Sequence, residues 1–403
     1  MAFLRIKTLY KFVFISLFLI WTPSLSAQIK VAPDRYCIEF TDKKHNNFTL
    51  ARPGEFLSER ALQRRAKQKI EITQADLPVS SYYTDSLAKM GIEVLNASRW
   101  FNSAVVRCAD ADIEKIKGLN FIKKTGQLPE KKKSTTPNDT IESDLSEFFS
   151  SLFMKNENKS LYGASLKYYG QAADQIGMMN GHFLHNNGFR GDNMLIAVID
   201  GGFYKIEELS GFDNLRNNGR LMPVKNFTVE RDNLYGTSSH GTNVLSIIAS
   251  DLPGRMVGSA PDAGYVMLRS EESDGEYLVE EENWIVAVEY ADSLGADIIT
   301  SSLGYSTFND TLQNHTYQEL DGTTIRASRA AAMAAAKGMI VCVSAGNDGN
   351  GSWRYVSVPA DADSIITVGA VNPKKEYASF SSVGPTADGR IKPDLIAMGK
   401  ETA

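Results

Sequence analysis

From residue 161 to Ala403, short β-branched runs alternate with longer helical patterns, and this alternation constrains the fold more than any other feature of the chain. Met194–Ile199, Gly264–Leu268, Asp297–Ile299, Met339–Val343 and Ile365–Val368 read as strands. Asn243–Ser250, Tyr277–Leu294 and Ile325–Lys337 read as helices. The strands are nearly unbroken apolar runs, the pattern of a parallel sheet covered by helices on both faces. In such α/β sheets the chemistry gathers at the carboxyl ends of the strands. The residues that follow each strand are therefore the place to look.

Three of these places carry chemical groups. In Val198-Ile199-Asp200-Gly201-Gly202 a carboxylate follows a buried strand at once, and two glycines allow a tight exit. An Asp there can orient an imidazole, although taken alone it is more often a turn or N-cap residue. In Ser239-His240-Gly241-Thr242-Asn243 a histidine stands at a helix start, ahead of small residues that let the helix pack closely. The positive end of the helix dipole favours a neutral ring, which is what a general base must be. By itself such a histidine is still more often structural. In Val343-Ser344-Ala345-Gly346-Asn347 a strand ends in a glycine that lets a peptide backbone approach, followed by an amide that can donate to an oxyanion. Asn in a glycine-rich loop is, alone, usually a turn residue.

In this order on an α/β chain, the three together resemble the subtilisin-like serine peptidases (peptidase S8). Thr300-Ser301-Ser302-Leu303-Gly304, Ala378-Ser379-Phe380-Ser381-Ser382-Val383-Gly384 and Ile391-Lys392-Pro393-Asp394 extend the resemblance, which covers about residues 190–403. It implies a subtilisin-like fold with Asp200 and His240 as catalytic residues and Asn347 in the oxyanion hole. It also implies that Ser302, Leu303, Gly304, Ala345 and Gly346 bind an extended peptide substrate. Gly201, Asn243, Leu245 and Met398 depart from residues usual in the family, and none of these changes removes chemistry. The family's nucleophile sits in a Gly-Thr-Ser-x-x-x-Pro segment downstream of the Lys-Pro-Asp run, and Ala403 comes before any such segment. Gly236-Thr237-Ser238 spells part of it, but two residues ahead of His240 and without the proline. No serine is assigned the role. The expectation is a C-terminally truncated proenzyme of a serine endopeptidase that is nearly inert as it stands, with a non-catalytic peptide-binding protein as the alternative.

The remainder of the chain fits a proenzyme. Residues 1–27 carry three positive charges, an apolar run Phe12–Trp21 and small residues up to Ala27, an export signal for a periplasmic or secreted product. No later run reaches 18 apolar residues, so no membrane association is expected after signal removal. Residues 28–127 read as a compact α+β unit. Arg35–Thr41, Ile92–Leu95, Phe101–Cys108 and Phe121–Thr125 are its strands, Glu59–Lys69 and Tyr83–Met90 its helices, and a further helix capped by Asp110 runs to Lys117. That order is ferredoxin-like, and its placement resembles the family's propeptide, which implies an intramolecular inhibitor. Residues 128–160 read as an exposed linker and 161–403 as a partial peptidase domain.

Charge divides the same way. Residues 28–133 carry net +7 and 134–403 net −15, which excludes a nucleic-acid-binding body and favours attraction between the two parts. Three cysteines, Cys37, Cys108 and Cys342, make no disulfide scaffold, although Cys37 and Cys108 lie in neighbouring strands and a bridge stays open. His182 and His185 have helical spacing but no third ligand, so no metal site is assigned. No cofactor is required for the chemistry, and structural calcium is left open. Glu271, Glu272, Asp274, Glu276 and Glu280–Glu282 read first as a solvated helix face.

Overall fold

The computed structural model describes residues 28–123 and 165–403. The expected signal segment and linker lie outside the described residues. In chain order the strands are β1 (Gln28–Ala32), β2 (Arg35–Glu39), β3 (Glu93–Ser98), β4 (Ser103–Arg107), β5 (Leu195–Asp200), β6 (Lys225–Asn226), β7 (Asp251–Leu252), β8 (Met256–Val257), β9 (Gly264–Arg269), β10 (Ile298–Ser301), β11 (Ile340–Ser344), β12 (Ile366–Val371) and β13 (Leu395–Met398). The helices are α1 (Glu59–Lys67), α2 (Ser81–Lys89), α3 (Asp110–Lys117), α4 (Ala173–Met178), α5 (Gly181–Asn186), α6 (Asp213–Asn217), α7 (His240–Ala249), α8 (Val279–Leu294) and α9 (Arg326–Ala336). None is long and apolar enough to cross a membrane.

The larger sheet has seven strands in the order β13-β12-β11-β10-β5-β9-β6, paired in parallel throughout. Its faces are buried by residues of opposite parity. Ala197, Ile199, Val266 and Leu268 pack with Trp284, Ile285 and Val288 of α8 and the alanines of α9. Ile196, Val198, Tyr265 and Met267 pack with Leu245 and Ala249 of α7 on the other face. Double-sided burial explains why each strand reads as an unbroken apolar run rather than an alternating one. From β5 the chain first builds β6 and β9 to one side and then returns to build β10–β13 on the other. The order thus reverses between β5 and β10, and the carboxyl ends of those two strands flank a crevice.

The amino-terminal unit is an antiparallel sheet in the order β1-β2-β4-β3. Strand β1 was not expected. It takes the edge beside β2 through Gln28↔Ile38 and Ile29↔Cys37. The expected closing strand at Phe121–Thr125 is reduced to a single bridge, Phe40↔Ile122, on the same edge. With that bridge in place of the last strand, the ferredoxin-like order is otherwise kept. Asp110 is the first residue of α3 rather than its cap, and its carboxylate instead binds Lys30 and the Tyr36 hydroxyl. Cys37 and Cys108 are both free thiols on opposite faces of the sheet. Strand alternation aims their side chains apart.

One face of this small sheet is covered by α2 and α3 through Tyr83, Leu87, Ile113 and Ile116. The other lies on α8, where Val279 meets Cys37 and Val105, and Trp100 enters the main core beside Trp284. The expected charge attraction has a concrete form here. Asp292 of α8, fully buried, accepts hydrogen bonds from Arg64 (2.5 Å), Arg65 (2.8 Å) and Arg99 (2.6 Å) of the small unit. Arg35 pairs with Glu272 at 2.8 Å, and Arg326 of the body pairs with Glu282 and with Glu39. Glu280, Glu281 and Glu282 are therefore buried, not a solvated helix face. The sequence pattern misleads because these carboxyls find partners inside the protein: Glu280 accepts the backbone N–H groups of Glu272 and Tyr277, Glu281 pairs with His315, and Glu282 with Arg326, while Glu272 meets Arg35 of the small unit.

Candidate active site

Asp200 ends β5 and is completely buried. Its Oδ1 accepts the Gly201 backbone N–H at 2.7 Å, which fixes one oxygen of the carboxylate at the strand exit. His240 opens α7 and reaches back, with Nδ1 2.8 Å from Asp200 Oδ1 and 3.0 Å from Oδ2. A carboxylate can only accept, so Nδ1 carries the proton and donates it. Nε2 has no hydrogen-bond partner among the described residues. The ring is half exposed, with its free nitrogen available to the cleft.

The approach of α7 to β5 depends on Gly241. A Cβ there would lie 2.5 Å from the Gly202 carbonyl oxygen and 2.8 Å from Asp200 Cβ. The clash is with backbone and with the root of the Asp200 side chain, neither of which can swing away. Gly241→Ala should cost about 1–3 kcal/mol and lengthen the Asp200–His240 contact. Thermal unfolding, together with loss of the downfield imidazole proton in NMR spectra, would show this. A variant with unchanged stability and an unchanged downfield signal would mean that α7 is not seated by this glycine.

The hydrogen bond to Asp200 raises the pKa of His240 above its ordinary value of 6.5, and burial opposes it more weakly. The expectation of a helix dipole holding the ring neutral is corrected in sign. The carboxylate is a full charge in contact, and it outweighs the partial charge of one helix end.

A cavity of about 350 Å³ opens beside the imidazole at the carboxyl edge of the sheet. His240, Ser302, Ala345, Gly346 and Asn347 all line it. Asn347 is exposed at the end of β11, and its amide makes no hydrogen bond among the described residues. Its loop is pinned on both sides: Ser382 N–H donates to the Gly346 carbonyl at 3.0 Å, and Gly349 N–H to the Phe380 carbonyl at 2.8 Å. Gly346 has φ +103°, and a Cβ there would meet Ser357 Oγ at 2.4 Å. Leu303 and Gly304 follow β10 outside the cavity lining; the Leu303 carbonyl accepts from Ser344 Oγ, and Gly304 lies against Ser357.

None of the described serines hydrogen-bonds the free imidazole nitrogen. Ser301 accepts from the Trp284 indole, Ser381 accepts from Ala370 N–H, and Ser238 accepts from the His240 backbone N–H. Each hydroxyl has a structural partner. His182 and His185 do not act together either: His185 is buried between Tyr169 Oη and the Ser259 carbonyl, 3.0 and 2.9 Å away.

Glu271 was read as one member of the acidic run, and its place at this site was missed. It lies two residues beyond β9, and β9 pairs in parallel with β5 so that Arg269 stands beside Asp200. The pairing of the two strands was the signal that could have found it.

Comparison with known proteins bears on the fold and the family. The fold is shared with the epidermin leader peptide processing serine protease of Staphylococcus aureus, with a TM-score of 0.51 and 19% identity over 91% of this chain and 74% of that one. The architecture is thus that of a subtilisin-like protein. Residues 191–403, more than half the chain, match the subtilase family, and residues 35–142 match the peptidase S8 propeptide domain of Bacteroidota. The chain belongs to the subtilase family. It is 33% identical over 208 residues to subtilisin NAT of Bacillus subtilis subsp. natto, covering 51% of this chain and 48% of that protein. It is 30% identical over 224 residues to serine protease AprX of Bacillus subtilis (strain 168), covering 52% and 47%. The chain spans about half the length of these curated relatives.

Proposed function

We propose that this chain belongs to an exported serine endopeptidase proenzyme in which Asp200 and His240 serve a nucleophilic serine, a role that none of the described serines takes. The observation that carries the reading is the Nδ1–carboxylate contact of 2.8 Å at the topological switch of the sheet, with Nε2 without a partner among the described residues and His240 lining the cavity. In this mechanism Asp200 holds the ring in the tautomer whose Nε2 can accept the serine proton. The hydroxyl oxygen attacks the peptide carbonyl carbon, and the proton passes to Nε2. Asp200 then stabilises the imidazolium, and the Asn347 amide donates to the oxyanion of the tetrahedral adduct. The imidazolium returns its proton to the leaving amine as the C–N bond breaks. Ser302, Leu303 and Gly304 offer backbone to the substrate as an added strand, and Ala345 and Gly346 line the pocket for the side chain before the scissile bond. The unit at 28–123 is the intramolecular inhibitor, consistent with its buried arginine contacts to α8.

A fluorophosphonate probe, which phosphonylates an activated serine with loss of fluoride, tests this directly. The full-length gene product, freed of the small unit, should label stoichiometrically, and the chain ending at Ala403 should not. Labelling needs a neutral imidazole, so it should fall as pH drops through the raised His240 pKa. The acid limb should therefore have its midpoint above 6.5. A folded full-length protein that fails to label would instead favour a peptide-binding protein without catalysis. Labelling of the shorter chain, abolished by His240→Ala, would mean that a nucleophile within it has been overlooked.

A further inference from the structure

Three carboxyls meet beside the dyad. Oxygens of Glu271, Glu276 and Glu280 all lie within 4.8 Å of one another. Of these, Glu271 is the one that faces Asp200 and His240. Its Cγ would be 3.3 Å from a Cβ at Gly201, so its side chain lies across the peptide that immediately follows the catalytic aspartate. The preceding residue, Ser270, donates its N–H to the Asp200 carbonyl at 3.2 Å. Two hydroxyls hold the carboxyl in place: Tyr305 Oη and Ser270 Oγ each donate to Oε1 at 2.8 Å. Tyr305 is itself buried, and its backbone is bonded to Val358 in both directions at 2.9 Å. The clamp is rigid, and it fixes a carboxyl that makes no direct hydrogen bond to the imidazole.

We propose that Glu271 is a positioning residue for the Asp200–His240 pair, bracing the Gly201 turn that aims Asp200 and placing a second negative charge beside the imidazole. The inference rests on the reading that this pair is catalytic, and it assigns the pair a partner from the segment that follows β9. The groups that face Glu271 are Asp200 at the end of β5, His240 of α7, Glu276 in the loop before α8, Glu280 in the first turn of α8, and Tyr305 beyond β10. Its neighbour Glu272 is neutralised by Arg35 of the small unit. Burial and the neighbouring carboxyls raise the pKa values of Glu271 and Glu280, because three close carboxyls cannot all ionise at once. Each has two donors that favour its ionised form, hydroxyls for Glu271 and the Glu272 and Tyr277 backbone N–H groups for Glu280, so the three carboxyls share their protons as a cluster. Proton uptake by His240 and loss from Glu271 are then linked, and neither group titrates as an independent site.

The test follows the imidazole itself and needs no hydrolysis. In the 403-residue chain, the His240 ring signals, assigned with His240→Gln, are followed by NMR through a pH titration. Glu271→Gln keeps the shape and removes the charge. It should lower the proton affinity of His240 by about threefold and turn a broadened curve into a single-proton one. Asp200→Asn should lower it further. Tyr305→Phe removes a donor to Glu271 without touching the carboxyl, so it should move His240 in the same direction by a smaller step. A His240 midpoint unchanged within 0.1 pH unit (an on the order of 1.3-fold change in affinity) in folded Glu271→Gln overturns the proposal. If that variant does not fold, an unchanged midpoint in Tyr305→Phe does so. In the full-length enzyme the acid limb of kcat/KM should shift by the same amount. A shifted midpoint without hydrolysis would overturn the catalytic reading and leave the pairing intact.

Discussion

Replacing His240 with alanine in the full-length enzyme should lower kcat for peptide hydrolysis by about 10⁶-fold. Asp200→Asn should lower it by about 10⁴-fold, because the amide no longer enforces the tautomer with Nε2 free. Asn347→Ala should cost about 10²–10³-fold with KM little changed, since its amide acts on charge that develops only in the transition state. The first and third of these scales are those seen in a subtilisin itself, a relative of this chain, and the second is that of a serine protease of another fold. The double variant His240→Ala/Asp200→Asn should be no worse than His240→Ala, because the aspartate acts through the ring. Steady-state kinetics on one peptide substrate would check all four. An Asn347→Ala enzyme with unchanged kcat would remove the oxyanion role from that residue.

The second large effect concerns Asp292. Three arginines of the small unit share its carboxylate inside the protein, and Arg65 also binds Asp76, which pairs in turn with Lys337 at 2.7 Å. Asp292→Ala leaves several buried positive charges with too few partners. It should destabilise the chain by about 3–5 kcal/mol in urea unfolding, the scale for breaking a buried ion pair. The loss should concentrate where the small unit meets α8, and be read as faster hydrogen exchange in α1 and β3. Glu208→Ala serves as the control: its exposed contact to Lys205 is 4.0 Å long and worth less than about 1 kcal/mol. An Asp292→Ala change below about 1 kcal/mol would mean that apolar packing at Trp100 and Val279 alone joins the two parts.

The two buried aspartates, Asp292 and Asp200, illustrate two different uses of charge. Asp292 is neutralised from all sides and contributes to joining the small unit to α8. Asp200 has one protein cation-in-waiting, His240, and a free nitrogen beyond it. The same residue type is structural in one place and proposed as chemical in the other because of what its partner can still reach.

Much of the peptidase half was legible in the chain. Apolar runs such as Leu195–Asp200 and Ile340–Ser344 sit where the pattern puts them, within a residue or two at their ends. Asp200, His240 and Asn347 were readable because each follows a strand or opens a helix, and a parallel sheet brings such ends to one edge. Glu271 was not, although it sits at the same edge. Seven acidic residues between Glu271 and Glu282 look alike in sequence, and nothing local separates the one beside the dyad from those that meet arginines. The sign of the His240 shift was missed for a similar reason. The helix start is local and visible, whereas the carboxylate that overrides it is 40 residues away.

In the small unit, alternation revealed β2, β3 and β4 because one face of that sheet is covered by its own helices. Strand β1 and the closing bridge compete for the same edge of β2, and a competition for hydrogen-bonding partners leaves no mark in hydropathy. The sequence by itself determined the layers, the strand ends and the residue types at them, since these follow from periodicities of two and 3.6 and from where glycine interrupts them. Tertiary structure alone decided which carboxylates are buried, which arginines cover them, which faces Cys37 and Cys108 take, and which glutamate lies against the Gly201 turn. Those outcomes depend on contacts between segments far apart in the chain, and the free energy of a charge is set by its surroundings rather than by its neighbours in sequence.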